Sequence, residues 1–320
     1  MRPDPRRQLA LRSVVGLAVL AGLLLGLSGV PARAGAASSY TTRRLSSPAR
    51  TQVLQGTKVV ATFTDGSRSV ALSATSRTFA EPTYTANTVT TPTWVRLLGS
   101  PFTGTVDLNW VTARLADTSP DVLAMAMQYR VREPAIVAGG LQIAGDAAYG
   151  PLQPDGNRAE GSDFNDYLGI SYTYPGGVVD APEADQFRSL DCSGFMRMVL
   201  GYRGGVPMTL AAGAADRLPR RAVDQASSGT GVVLIANTGV APASRSVLQA
   251  GDLVFFDVST DDGTLIDHVG MFLGRDNAGN DRFISSRKSA NGPTMGDLSG
   301  RSVLNGTGLY ATGFRSARRV

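Results

Sequence analysis

The chain has a single cysteine, Cys192, and a single histidine, His268, and both stand in local sequence suited to covalent chemistry. In Leu190-Asp191-Cys192-Ser193-Gly194-Phe195 the aspartate can cap a helix that starts at the thiol, so the sulfur faces backbone N–H groups with no intrahelical partner. Such a position, beside an imidazolium, lowers a thiol from about 8.5 to roughly 3.5–7.5 and gives a nucleophile at neutral pH. His268 is the one imidazole available as its base. Nucleophilic catalysis also needs a third group to orient the base and donors for the oxyanion; N–H groups at the helix start, that of Cys192 included, can supply the donors. Taken singly, each residue fits a plainer account as well. Cysteine packs as a small buried hydrophobe, and a histidine can sit satisfied at a strand start.

The elements that must position this pair have their own signatures. Phe195, Met196, Val199 and Leu200 recur at helical spacing and predict a helix from Cys192 to about Tyr202, ended by Gly201 and Gly204-Gly205. Asp252–Phe256, His268–Leu273 and Arg282–Ser286 read as three strands. Alternation puts Val269, Met271 and Leu273 on one face and His268 with Gly270 and Phe272 on the other, where the missing side chain of Gly270 leaves room beside the imidazole for a groove. Upstream, Asp163–Leu168 reads as a short helix ended by Gly169, and the Gly-, Asp- and Ala-rich residues 136–162 as an irregular linker. Residues 51–135 form a β-rich module with runs at 59–63, 69–72, 93–98 and 106–111, then a helix opened by Ser119-Pro120-Asp121. Residues 35–50 read as a flexible leader. The fold class is α+β, with a nucleophile helix packed on an antiparallel sheet over 163–320.

Residues 1–34 read as a signal peptide: four early arginines, an uncharged apolar run over Val14–Val30, then Ala32-Arg33-Ala34. An uncleaved anchor is the alternative, since the run approaches the ~17 residues of a short spanning helix. The segment holds five arginines and one aspartate, so the overall charge of +5 leaves the remainder near +1. That excludes the concentrated basic face of a nucleic-acid binder. One cysteine cannot make an internal disulfide, so an exported fold must rely on its apolar core. Asp257, Asp261, Asp262 and Asp267 match no standard calcium loop and read as solvated, and no pattern calls for a cofactor or metal. Trp94 and Trp110 are assigned to the core, with stacking on sugar as the alternative.

Three stretches in order, Asp191–Phe195, Leu248–Phe256 and Asp267–Gly274, closely resemble the NlpC-type cell-wall peptidases, papain-like cysteine enzymes, over about residues 163–290. Leu218-Pro219-Arg220-Arg221 with Asp224-Gln225 is similar to a further stretch of that family. The resemblance implies a papain-like domain with Cys192 as nucleophile and His268 as base, Tyr172 near the nucleophile, and Asp191 and Ser193 contacting the stem peptide. It also implies a third polar residue, usually histidine, on the strand after that of His268; the matching position is Ser285. A hydroxyl can accept from the ring but cannot stabilise imidazolium as a carboxylate does, which leaves Ser286, Asp267 or a backbone carbonyl as alternatives. The function so implied is a secreted endopeptidase, extracellular or wall-associated, that cuts stem peptides or cross-bridges of bacterial peptidoglycan and has no membrane attachment after signal cleavage. The competing functions are a catalytically impaired wall-binding or scaffolding protein, and an amidase or acyltransferase using the same pair.

Overall fold

Five strands open the computed structural model, which describes residues 39–214 and 216–320. β1 (Tyr40–Leu45), β2 (Arg50–Gln55), β3 (Lys58–Thr64), β4 (Ser69–Ala80) and β5 (Thr88–Leu97) pair antiparallel in chain order. Val53, Val60, Phe63, Val70 and Leu72 bury a cluster that helix α1 (Leu108–Ala116) closes with Val111. Phe79, Val89 and Val95 turn instead to the core that contains Cys192. This sheet and the region around Cys192 therefore share one apolar interior.

Two expectations fail in this part of the chain. The expected leader 35–50 is not loose over its described residues, 39–50: Tyr40–Leu45 is an edge strand in full register with β2, and Arg43 and Arg44 bond Gln52 and Asp65. An edge strand needs backbone pairing more than apolar content, so a Thr- and Arg-rich segment qualifies. The run 106–111 is not a strand either, because Asp107 accepts from the Asn109 and Trp110 amides and caps α1. The expected signal peptide, residues 1–34, lies outside the described residues. No helix among those described is long and apolar enough to cross a membrane.

Helix α2 (Val122–Met127) is capped by Asp121, which also accepts from the Val95 amide at 2.6 Å and so ties the helix to β5. The expected linker holds a hairpin, β6 (Ile136–Ala138) and β7 (Leu141–Ala144), turned by Gly139 and Gly140 at φ of 58° and 81°. Helix α3 (Phe164–Leu168) starts with a reciprocal Asp163/Asp166 capping box and ends at Gly169 in the left-handed conformation. A small pair, β8 (Tyr172–Thr173) and β9 (Val179–Asp180), follows.

Helix α4 (Cys192–Met196) continues as a wider-wound turn through Arg197–Tyr202, and α5 (Ala222–Ser228) comes after it. The remaining elements are β10 (Val232–Ile235), β11 (Leu253–Phe256), β12 (His268–Arg275), β13 (Asp281–Arg287), β14 (Gly292–Thr294), α6 (Leu309–Gly313) and β15 (Phe314–Arg319). Their strands form a six-stranded sheet in the order β10-β15-β11-β12-β13-β14, antiparallel at every paired register. Leu253, Phe255, Val269, Met271, Leu273 and Ile284 pack in one core with Phe195, Met196 and Val199. Each such side chain contributes about 1.5–3 kcal/mol by leaving water. The opposite face buries Val254, Phe256, Phe272 and Phe283 with Tyr310 and Phe314.

Candidate active site

Asp191 caps α4 by accepting from the Gly194 amide at 2.7 Å, which sets Cys192 at the first helical position. The sulfur lies 3.9 Å from the carbonyl oxygen of Asp267 and is met by the Val269 amide. It therefore rests against the chain on both sides of His268, although 75 and 77 residues separate those neighbours from it in sequence. Cys192 is 6% exposed, yet it lines a cleft of about 700 Å³ together with Tyr149, Ser193, Arg221, Asp261 and Ile266. The thiol thus has a route to solvent.

A buried ion network backs the start of α4. Arg220 bonds Asp191 at 2.6 Å and approaches Asp163 at 3.5 Å, and Arg197 bonds Asp163 at 2.9 Å while donating to the Thr209 and Leu218 carbonyls. Burial alone would raise Asp191, but Arg220 and amide donors hold it below the usual carboxylate range. Its oxygens also receive Ser193 Oγ and the Gly161 amide. Both residues expected to touch substrate line the cleft, but Asp191 is engaged in holding the helix start, and Ser193 Oγ in addition accepts from Arg220 at 2.8 Å.

The surroundings of the sulfur do not favour the expected thiolate. Burial pushes the Cys192 thiol up, and the Asp191 charge pushes it further, while the Val269 amide opposes weakly. His268 is lowered to about 3, by burial first and then by the Arg287 charge. Both directions favour a protonated thiol and a neutral imidazole in the folded chain. The ring packs 5.8 Å from that of Phe256 and 5.4 Å from that of Tyr310, and its Nε2 is buried without a hydrogen-bond partner.

Around His268 the structure corrects further expectations. A Cβ on Gly270 would meet Ile284 O and Phe283 Cδ2 at 2.8 Å, so the space is filled by β13 and is no groove; the glycine permits close strand approach instead. Ser285 is fully buried and accepts from Arg287 Nε at 3.1 Å; among the described residues no hydrogen bond joins it to His268. Ser286 donates to the Leu190 carbonyl, and the Asp267 carboxylate accepts from the Val258 and Ser259 amides. Neither is free to orient the ring. Tyr172 packs edge-on against Phe164 and Tyr174, each at 4.9 Å, and does not line the cleft. The tyrosine beside the thiol is Tyr149, whose hydroxyl burial and the Cys192 charge would raise.

Sequence reading missed Tyr149, the Asp163–Arg197 pair and Arg287. No local motif marks Tyr149, because it reaches the site through a loop that bridges from Ala148 to Ser189. Trp94 is held between Arg77 and Arg96 with its Nε1 on the Thr75 carbonyl, and Trp110 packs on Phe63.

Comparison with known proteins gives a family for part of the chain. Residues 169–304 match the NlpC/P60 family model. Two solved structures are similar to the chain. One is a protein described as similar to lipoprotein, NLP/P60 family, from Staphylococcus aureus subsp. aureus Mu50, at 21% identity and a TM-score of 0.29, covering 67% of this chain and 48% of that one. The other is an NlpC/P60 family protein from Bacillus cereus ATCC 10987, at 23% identity and a TM-score of 0.26, covering 48% and 36%. The chain spans less than half the length of either, and no curated protein matches it. On the strength of the family match, residues 169–304, which hold both Cys192 and His268, are an NlpC/P60 domain.

Proposed function

We propose that the protein is a secreted or wall-associated cysteine endopeptidase of papain-like mechanism that hydrolyses peptide bonds in bacterial peptidoglycan, with 163–320 as its catalytic part. The observation that carries this reading is the Cys192 sulfur at a helix start, on a cleft, against the backbone that flanks the chain's one histidine. Membership of a family of cell-wall peptidases supplies the substrate class. In the reaction the sulfur bonds to the scissile carbonyl carbon as the thiol proton passes to His268, and helix-start amides receive the oxyanion. The carbon–nitrogen bond then breaks and the leaving amine takes that proton. Water, deprotonated by the same imidazole, hydrolyses the thioester and restores the thiol.

The test is digestion of purified wall. Cys192→Ala is expected to lose release of stem fragments by at least about 10³-fold, since removal of a nucleophile leaves only binding and oxyanion stabilisation. Equal release by the variant overturns the assignment. The new termini, read by mass spectrometry, separate an endopeptidase from an amidase or an acyltransferase. A second reading, a wall-binding protein with impaired catalysis, is favoured by one observation: the hydroxyl at the third position is committed to Arg287. Parent protein that binds wall but releases nothing selects it.

A further inference from the structure

We propose that Arg287 is a positioning residue of the pair: a buried cation on the sheet face that His268 shares, it holds the serine at the expected third position and sets the charge that the imidazole meets. This rests on Cys192 and His268 acting together. The register Met271↔Ile284, with Phe283 on the face opposite α4, carries Ser285 and Arg287 onto the face of His268. Arg287 is 2% exposed. Its guanidinium donates to Ser285 Oγ, to the Gly300 carbonyl at 2.7 Å and to Ser302 Oγ, and none of these partners is a carboxylate. It lies 4.3 Å from the centre of the Tyr310 ring, the ring that packs on His268.

The usual third member of such a site accepts the ring N–H and so favours imidazolium. Here the polarity is reversed. The Ser285 oxygen already accepts from Arg287, which leaves the serine with a proton to give, and the charge that acts most on the ring, after burial, is the positive one of Arg287. Of the other charged groups that act on the ring, Lys288 works in the same sense and Asp191 opposes it; Phe256 and Tyr310 present neutral rings. A preformed thiolate–imidazolium pair is therefore disfavoured. The thiol keeps its proton until attack, gives it to His268 as the sulfur–carbon bond forms, and the short-lived imidazolium passes it to the leaving amine.

One histidine and one cysteine make the test free of assignment problems. NMR titration of the full chain reads the imidazole, and alkylation by iodoacetamide reads the thiol, whether or not wall is cut. The parent imidazole is expected to stay neutral from pH 8 down to 5. Arg287→Met is expected to move its midpoint up by about one unit or more, towards the ordinary value near ~6.5, and to advance alkylation to lower pH, while Arg287→Lys stays with the parent. A parent midpoint near 6.5, an unmoved midpoint in Arg287→Met, or an Arg287→Lys midpoint that moves as far as that of Arg287→Met overturns the proposal. Should Arg287→Met fail to fold, the parent and Arg287→Lys titrations decide it. Absence of wall cleavage with these titrations intact would remove the proposed function and leave the role of Arg287 standing.

Discussion

Arg197, on the helix side of the six-stranded sheet, and Arg287, on its far side, are both sealed from water but in different company. Arg197 has the Asp163 carboxylate, two carbonyls and the Tyr174 hydroxyl, and Arg220 extends the network to Asp191. Arg287 has one carbonyl, two hydroxyls and two aromatic faces. A guanidinium paired with carboxylate has little field left to impose on its surroundings; one hydrogen-bonded only to neutral groups, with Glu81 and Asp297 acting on it from beyond those bonds, keeps more of its field. The first therefore serves to fix the start of α4, and the second acts on the base at the start of β12. Separation of the two by a single sheet ties down the start of α4 without placing a carboxylate partner beside the imidazole.

The largest expected effect comes from breaking the compensated side. Asp163→Ala leaves Arg197 buried and unpaired and removes the cap of α3, and is expected to cost about 3–5 kcal/mol in urea unfolding. Arg287→Met swaps a cation for an apolar side chain of similar length among rings and should cost less, about 2 kcal/mol, mainly for the carbonyl and hydroxyls left without a donor. Equal losses in the two variants would erase the distinction drawn between the two arginines.

A pH series sharpens the same contrast. Burial and then the Arg287 charge push His268 down to about 3 in the folded chain, against ~6.5 unfolded, so protonation favours the unfolded state. The stability it lends is complete above about pH 6.5 and drains away as pH falls towards 3. Asp166 works in the other direction. Burial, and then its hydrogen bond with the Glu183 carboxyl, raise it to about 7, so its share of stability is complete below the ordinary carboxylate range and is lost as pH rises towards 7. Between about pH 4 and 6.5 the two oppose. Asp166→Asn should therefore show a steeper gain in stability across that window than the parent, as measured by urea unfolding at each pH. A parallel course would mean that Asp166 is ionised throughout.

Much of the catalytic half could be read from the chain because its signals are local. Asp191 as a cap, the left-handed Gly169 and the apolar alternation of β12 each depend on residues a few places apart, and each appears where expected. What escaped depends on distant groups. The state of the thiol follows from how much protein covers it, and helix-start amides do not offset that burial. Gly270 was read as space, but an absent side chain says only that something comes close, and here β13 does. Arg287 looks like an ordinary strand-end cation until the register sets it beside His268. The strand β1 was hidden for a related reason, since its pairing is made by backbone that carries no sequence signature.

Ser285 offers the smallest and most discriminating change. Ser285→Ala removes one acceptor from Arg287, which keeps its bonds to Gly300 and Ser302, so the expected loss is about 1 kcal/mol. If the arginine charge governs His268, the imidazole midpoint in this variant should stay within a few tenths of a unit of the parent, and wall hydrolysis should persist at a reduced rate. If the hydroxyl is instead the orienting third member that the family resemblance implies, hydrolysis should fall by roughly 10²-fold or more while the fold stays intact, because a base in the wrong orientation loses the in-line proton transfer. The two outcomes differ in the rate far more than in stability, so kcat on wall fragments, set beside the imidazole midpoint, tells whether this sheet face steers its base by charge or by a hydrogen bond.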